Sequence, residues 1–227
     1  MSIDLVVAGA IIKNEDMIQN AIYSVPKYDY NNRYILFDGY EDEGFFKDLY
    51  EAYKIYISKK NPRFNVIQFD KNIYFRKMLE HICHKSTAKY LFVIQDDVIV
   101  DNMNLDEILK DMNGYDIKWL SFIHKQPTDD THWFEYFDDT YPNKYVYTHG
   151  VSERVFIADR ENLLNVLATN PPSNKLTTKF IDTIYHTERN KKQWKQSSYD
   201  EKLQYWNQWR AFTHYDILHK HQVGKRI

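Results

Sequence analysis

The sequence is poor in residues that staple, bend or anchor a chain. One cysteine, Cys83, stands in 227 residues. That excludes an intramolecular disulfide and any zinc site built from several thiolates, and it fits a reducing compartment. Glycine and proline number six each, and there is no internal repeat or low-complexity tract. No apolar run approaches the ~18 residues that a membrane span needs. The opening MSIDLVVAGAIIKNEDM lacks a basic n-region and meets charge by Lys13, so it does not read as a signal peptide. A cytoplasmic protein is expected. Formal net charge is -2 with no long block of one sign, which argues against a dedicated nucleic-acid binder.

What is present points to an ordinary folded domain. Hydrophobic residues are 43% and charged residues 27%, so disorder is not expected. The length suits one large domain or two small ones with a substantial core. Aromatics reach 16%, led by 19 tyrosines. Part of that excess, alongside many Asn, Lys and Ile, matches an AT-rich coding sequence.

The hydrophobic pattern alternates between two periods. Ile3 to Ile12 is apolar apart from Asp4 and small at Ala8, Gly9 and Ala10, a buried strand with room for something to approach its end. Asn14 caps a helix whose stripe is Ile18, Ala21, Ile22 and Val25, closed by Pro26. Arg33 to Phe37 is a strand ending in Asp38-Gly39, residues 43–58 form a helix with Phe46, Leu49, Tyr50, Tyr53 and Ile57 on one side, and Phe64 to Phe69 is a strand. Asn72 to Cys83 is helical, and Tyr90 begins another strand. Three strand–helix units followed by a strand imply a mainly parallel sheet. Beyond it, Asn104 with Glu107 opens a helix, and Gly114 lies past its end. Ile117 to His124, Tyr145 to Thr148 and Arg154 to Ala158 read as strands, and Asp159 caps a helix at 160–167. Residues 125–144 show no period, and a loop of that length is usually functional or mobile. Thr178 opens a helix to about Glu188, Ser198 with Glu201 opens another to about Phe212, and Tyr215 to His221 is the last strand.

The stretch YLFVIQDDVIV, Tyr90 to Val100, concentrates the chemistry. It is a short β-branched run suited to a strand buried on both faces, and Asp96 and Asp97 stand near its end. Adjacent carboxylates there are costly unless a partner neutralises them. Hard oxygen ligands suit magnesium or manganese bridging to a diphosphate. Open α/β sheets bind ligands at the carboxyl ends of their strands. A solvated Asp-Asp turn is the alternative for the same residues.

Together these pieces resemble a nucleotide-sugar-dependent glycosyltransferase of the GT-A type. VVAGAIIKNED, including Ala8, resembles the nucleotide-facing opening of those enzymes, and LFDGYED places Asp38 at the acidic position that contacts the base or ribose. FRKMLEHICHKSTAKYLFVIQDDV resembles the helix followed by the acidic strand. Asp96 and Asp97 match the last two positions of the metal-binding acidic motif, and Gln95 departs from the first. HKHQVGKRI resembles the late His that completes the metal site in many members. The resemblance implies a single GT-A-like domain over 1–227: a nucleotide-sugar half to about residue 102 and an acceptor half beyond it. It also implies manganese or magnesium, a UDP-sugar donor and a saccharide or glycan acceptor. Soluble form and composition suit a bacterial or viral enzyme of surface-glycan assembly.

Within that reading Asp97 is the first metal ligand, and Asp96 contacts metal-bound water or ribose. His219 and His221 lie i, i+2 on a strand and face the same way; His221 is preferred because the Gly224-Lys225-Arg226 tail follows it. Lys225 can hold the diphosphate or belong to a solvated terminus. Arg76 either binds the diphosphate or base, or makes a surface salt bridge. Asp38 alternatively caps a turn with Gly39. An inverting transfer needs a general base. Asp200 at the start of the helix before the last strand and Asp182 in KFIDTIYH are the candidates, and either alternatively serves as a first-turn acid. Trp133, Phe134, Tyr136 and Tyr141 suit an acceptor wall, because sugars present flat apolar faces to rings. Trp206 and Trp209 fall at helical spacing with Leu203 and Phe212, as core residues do. Two other classes share some of these features. A nucleotidyltransferase has a similar sheet and acidic pair but usually a Gly-rich basic loop after strand one, which AGAIIKNED lacks. A carbohydrate- or protein-binding module needs no metal or nucleotide.

Overall fold

A computed structural model describes residues 1–9, 15–39, 45–124, 134–136, 145–148, 154–169, 198 and 211–221. The chain opens β1 (Ile3–Gly9), α1 (Glu15–Ser24), β2 (Arg33–Phe37), α2 (Phe45–Lys60), β3 (Asn65–Gln68), α3 (Tyr74–Lys85) and β4 (Tyr90–Gln95). It continues β5 (Val98–Val100), α4 (Leu105–Gly114), β6 (Trp119–His124), β7 (Phe134–Tyr136), β8 (Tyr145–Thr148), β9 (Val155–Asp159), α5 (Arg160–Thr169) and β10 (Ala211–His221).

One mixed sheet runs β3-β2-β1-β4-β9-β6-β10-β8-β7, with β5 paired to β10. The expected parallel arrangement holds across β3, β2, β1 and β4. Beyond β4 the directions mix. β9 lies antiparallel to both β4 and β6, and β10 runs parallel to β6.

Both faces of the sheet are covered. Along β4, Phe92 and Ile94 join a core with Ile18 and Ala21 of α1, Ile57 of α2 and Ile108, Leu109 and Met112 of α4. Leu91 and Val93 join a second core with Met78, Leu79 and Ile82 of α3 and Leu163, Val166 and Leu167 of α5. Successive side chains point to opposite faces, so a strand covered on both sides must be apolar throughout. In the second core the Trp119 ring stacks on Phe156 at 4.0 Å between centroids, and its Nε1 donates to Ser121 Oγ at 2.9 Å. The indole thus buries its area without orphaning its donor.

Two expected caps are present. Glu107 N donates to Asn104 Oδ1 at 3.3 Å at the start of α4, and Asn162 N donates to Asp159 Oδ1 at 3.0 Å at the start of α5. The end of α4 differs from expectation. Gly114 is its last residue, and the left-handed position belongs to Asp116 at φ 54. Ile117 N then donates to Met112 O at 2.8 Å, closing a Schellman motif whose apolar Ile117 is buried in the core.

Other boundaries also moved. Residues 134–136, placed in the aperiodic loop, form β7 on β8. β10 begins at Ala211, so Phe212 lies in a strand rather than closing a helix. There Phe212 pairs with Leu120 on one side and Tyr147 on the other. Those partners are remote in sequence and invisible to a local pattern. The helix expected from Thr178 to about Glu188 lies outside the described residues, as do residues 199–210 of the helix expected to about Phe212, with Trp206 and Trp209.

Candidate active site

Three parallel strands end together. Asp38 N donates to Gly9 O at 3.0 Å, and Asp96 N donates to Ala8 O at 3.0 Å. The tip of β1 is therefore flanked by one acidic residue from β2 and another from the end of β4. Ala8 itself is 2% exposed and pairs with Leu36 and Gln95.

Gly9 is a steric requirement of this arrangement. A β-carbon there would overlap the Asp96 carboxylate, coming 2.8 Å from its Cγ. The space above the tip of β1 thus belongs to Asp96, which is 1% exposed. The solvated Asp-Asp turn does not describe it. Residues 96 and 97 do form a turn, and Asp97 is half-buried. Both residues have polar or electrostatic contacts. Two of their carboxylate oxygens, Asp96 Oδ2 and Asp97 Oδ1, are shielded from solvent. Two adjacent carboxylates with solvent-shielded oxygens at the end of a buried strand are the hard oxygen donors that suit a divalent cation.

Two tyrosines of α2, read from the sequence only as part of an apolar stripe, border this corner. Burial pushes the Tyr53 hydroxyl well above its ordinary pKa, and the neighbouring Asp96 charge adds to the rise. Burial raises Tyr50 in the same way, with a contribution from Asp38. The Tyr53 ring meets Phe37 edge to face at 5.6 Å, and Phe37 is the register partner of Gly9.

The end of β10 arrives at the same place. After the Asp96–Asp97 turn, β5 crosses to β10, which β9 and β6 separate from β4 in the sheet. His219, Lys220 and His221 pair with Val100, Ile99 and Val98. The backbone of His221 is thereby set opposite the residue that follows Asp97. The register of β10 on β6 shifts between His214 and Leu218; β10 pairs with β8 before that shift and with β5 after it.

Arg76 is committed to packing between helices. Arg76 is 3% exposed, and its Nη2 donates to Leu167 O at 2.9 Å in the last turn of α5. Burial lowers its pKa. It is a cation on a helix carbonyl end that ties α3 to α5, so the surface salt bridge is corrected to a buried packing contact. Gln95 is half-exposed, and its N–H donates to Arg154 O at 2.8 Å, which ties β4 to the start of β9. Tyr136 lies in β7, the strand at the far edge of the sheet. Trp133, Asp182, Asp200 and Lys225 lie outside the described residues. No cluster of three metal-ligating side chains occurs among the described residues.

No protein-family model and no curated protein sequence matches this chain. Solved structures do. S. aureus TarS superposes with a TM-score of 0.55 at 12% identity, over 98% of this chain and 37% of that one. GalNAc-T7, solved with UDP, GalNAc and Mn2+, superposes with a TM-score of 0.60 at 8% identity, over 99% of this chain and 44% of that one. Both are GT-A glycosyltransferases. The chain has the GT-A fold.

A GT-A structure of TarS 1-349 in complex with UDP-GlcNAc matches as well, with a TM-score of 0.53 at 13% identity, over 100% of this chain and 60% of that one. The chain spans less than two thirds of the length of each of these GT-A structures. No described helix is long and apolar enough to cross a membrane.

Proposed function

We propose that this chain is a metal-dependent hexosyltransferase that moves a sugar from a nucleoside diphosphate, UDP favoured, to a saccharide or glycan acceptor. One observation carries the proposal. The buried Asp96 carboxylate fills the notch at Gly9 on the tip of β1, beside Asp97 and the end of β10. GT-A structures solved with UDP, UDP-GlcNAc or Mn2+ share the overall fold.

Asp97 is the principal holder of manganese or magnesium, and His221 is a further ligand. The ion, when bound, supplies Lewis-acid stabilisation of charge on the departing diphosphate. Asp96 orients ribose or metal-bound water from its seat over Gly9. Ala8, Asp38 and Gln95 belong to the nucleoside side, and Lys225 adds positive charge beside the phosphates. Residues to about 102 hold the donor, and those beyond supply the acceptor wall with Trp133 and Tyr136. Where configuration inverts, Asp200 or Asp182 takes the proton from the acceptor hydroxyl as its oxygen bonds to the anomeric carbon. The bond from that carbon to the diphosphate oxygen breaks in the same step.

Calorimetric titration of UDP with and without manganese tests the reading, followed by a donor screen scored by nucleoside diphosphate release. Metal-dependent UDP binding that disappears in Asp97→Ala supports it. A chain that binds neither UDP nor any nucleotide sugar is a binding module instead.

A further inference from the structure

Asp38 is 2% exposed at the end of β2, and backbone donors converge on its carboxylate. Oδ1 accepts from Gly39 N at 2.9 Å and from Ile73 N at 2.6 Å. Oδ2 accepts from Tyr74 N at 2.9 Å, a donor it shares with Asn72 Oδ1 at 3.2 Å. The N-cap residue of α3 is Ile73, whose side chain makes no cap. Asp38 therefore caps α3 from another element, 35 residues away in sequence. Two further features show how tightly this joint is built. Tyr74 has φ 64, a backbone region that a β-carbon disfavours. Gly39 lies so close to the Lys71 backbone that any side chain there would collide with it.

We propose that Asp38 is a positioning residue for the donor site. Its carboxylate clamps the turn entering α3 onto β2 and holds Tyr74 in the left-handed conformation. Its own N–H ties the joint to Gly9 O, so the wall beside Gly9 and Asp96 is set before any ligand arrives. The use of that wall rests on the nucleotide-sugar reading; the clamp itself does not. This gives the acidic position after β2 a task other than the direct base or ribose contact implied by the resemblance.

Amide hydrogen exchange on the ligand-free protein, combined with UDP titration in manganese, tests it. Asp38→Ala is expected to speed exchange at Ile73 and Tyr74 by about tenfold or more, since charge-assisted hydrogen bonds are lost. Asp38→Asn, which keeps one acceptor oxygen, falls between wild type and Asp38→Ala and guards against a variant that does not fold. Glycine accepts positive φ freely, so Tyr74→Gly in the Asp38→Ala background is expected to recover much of the lost UDP affinity. Unchanged exchange at Ile73 and Tyr74 in Asp38→Ala overturns the clamp. So does a UDP loss equal in Asp38→Asn and Asp38→Ala that Tyr74→Gly leaves untouched, because a direct contact behaves that way. If wild type binds no UDP, the nucleotide-sugar reading fails and exchange alone decides the clamp.

Discussion

His221 in β10 and Val98 in β5 are antiparallel register partners, so the last described residue of the chain sits beside the residue that follows Asp97. More than a hundred residues of sequence separate these positions. Their pairing turns two unrelated motifs, an acidic pair and a late histidine, into neighbours at one end of the sheet.

The first prediction concerns that neighbourhood. Asp97→Ala is expected to weaken manganese-dependent UDP binding by about a hundredfold, and His221→Ala by about tenfold, the usual span for losing a ligand or its support. Chelation by EDTA should stop nucleoside diphosphate release, and added manganese should restore it. Calorimetry with each variant, scored against an unchanged circular dichroism spectrum, checks the ranking.

Gly9→Ala is expected to cost roughly 1–3 kcal/mol, because its β-carbon overlaps the Asp96 carboxylate and the core there has no slack. Combining it with Asp96→Ala removes the obstacle. The double variant should therefore lose at least about 0.5 kcal/mol less than the sum of the single variants. Urea unfolding of the four proteins measures the coupling, and strict additivity would count against the contact.

Asp4, fully buried at the other end of β1, accepts from Asn32 N and Nδ2 and from Ser86 Oγ, the last at 2.6 Å. Asp4→Ala orphans these donors and is expected to lower stability by roughly 1–3 kcal/mol. UDP affinity below the unfolding transition should stay the same, since Asp4 lies five residues from Gly9 along an extended strand. A drop in affinity equal to that of Asp97→Ala would show that the two ends of β1 are not independent.

Cys83 gives a pH signature. Burial pushes its thiol from 9.0 up to about 12 in the folded chain. Between those values the unfolded state binds fewer protons than the folded state, so stability falls as pH rises through this window and is fully present below pH 9. Buried Tyr90, raised from 10.0 to about 12, acts in the same direction. Urea midpoints should decline above pH 9, and the decline should be shallower in Cys83→Ala. Native protein at pH 8 should also leave thiol reagents unreacted until it unfolds.

Much of the fold was legible because its signals are local. β2 falls on Arg33–Phe37 as its short apolar run before Asp38-Gly39 predicts, and the caps at Asn104 and Asp159 follow from short polar side chains in front of apolar stripes. Gly114 was expected past the end of α4 because glycine commonly follows a helix, whereas it is the last helical residue, and Asp116 takes the left-handed position with Ile117 anchored in the core. Arg76 was read as a ligand contact or surface ion because sequence does not reveal that its helix packs on α5. Tyr53 and Tyr50 were hidden in an ordinary apolar stripe, and only their closeness to Asp96 and Asp38 sets them apart.

The sequence by itself determined the alternation of strands and helices, the two-faced burial of β1 and β4, and the acidic pair where β4 stops. These are properties of neighbouring residues, set by periodicity and side-chain polarity. Tertiary structure alone decided that β9 enters antiparallel beside β4, that Asp96 lies in the space Gly9 leaves, that Asp38 caps a distant helix, and that β10 returns to β5. Each of these joins residues far apart along the chain. Such a pairing is selected by the free energy of the whole packed sheet, which no local stretch of sequence contains.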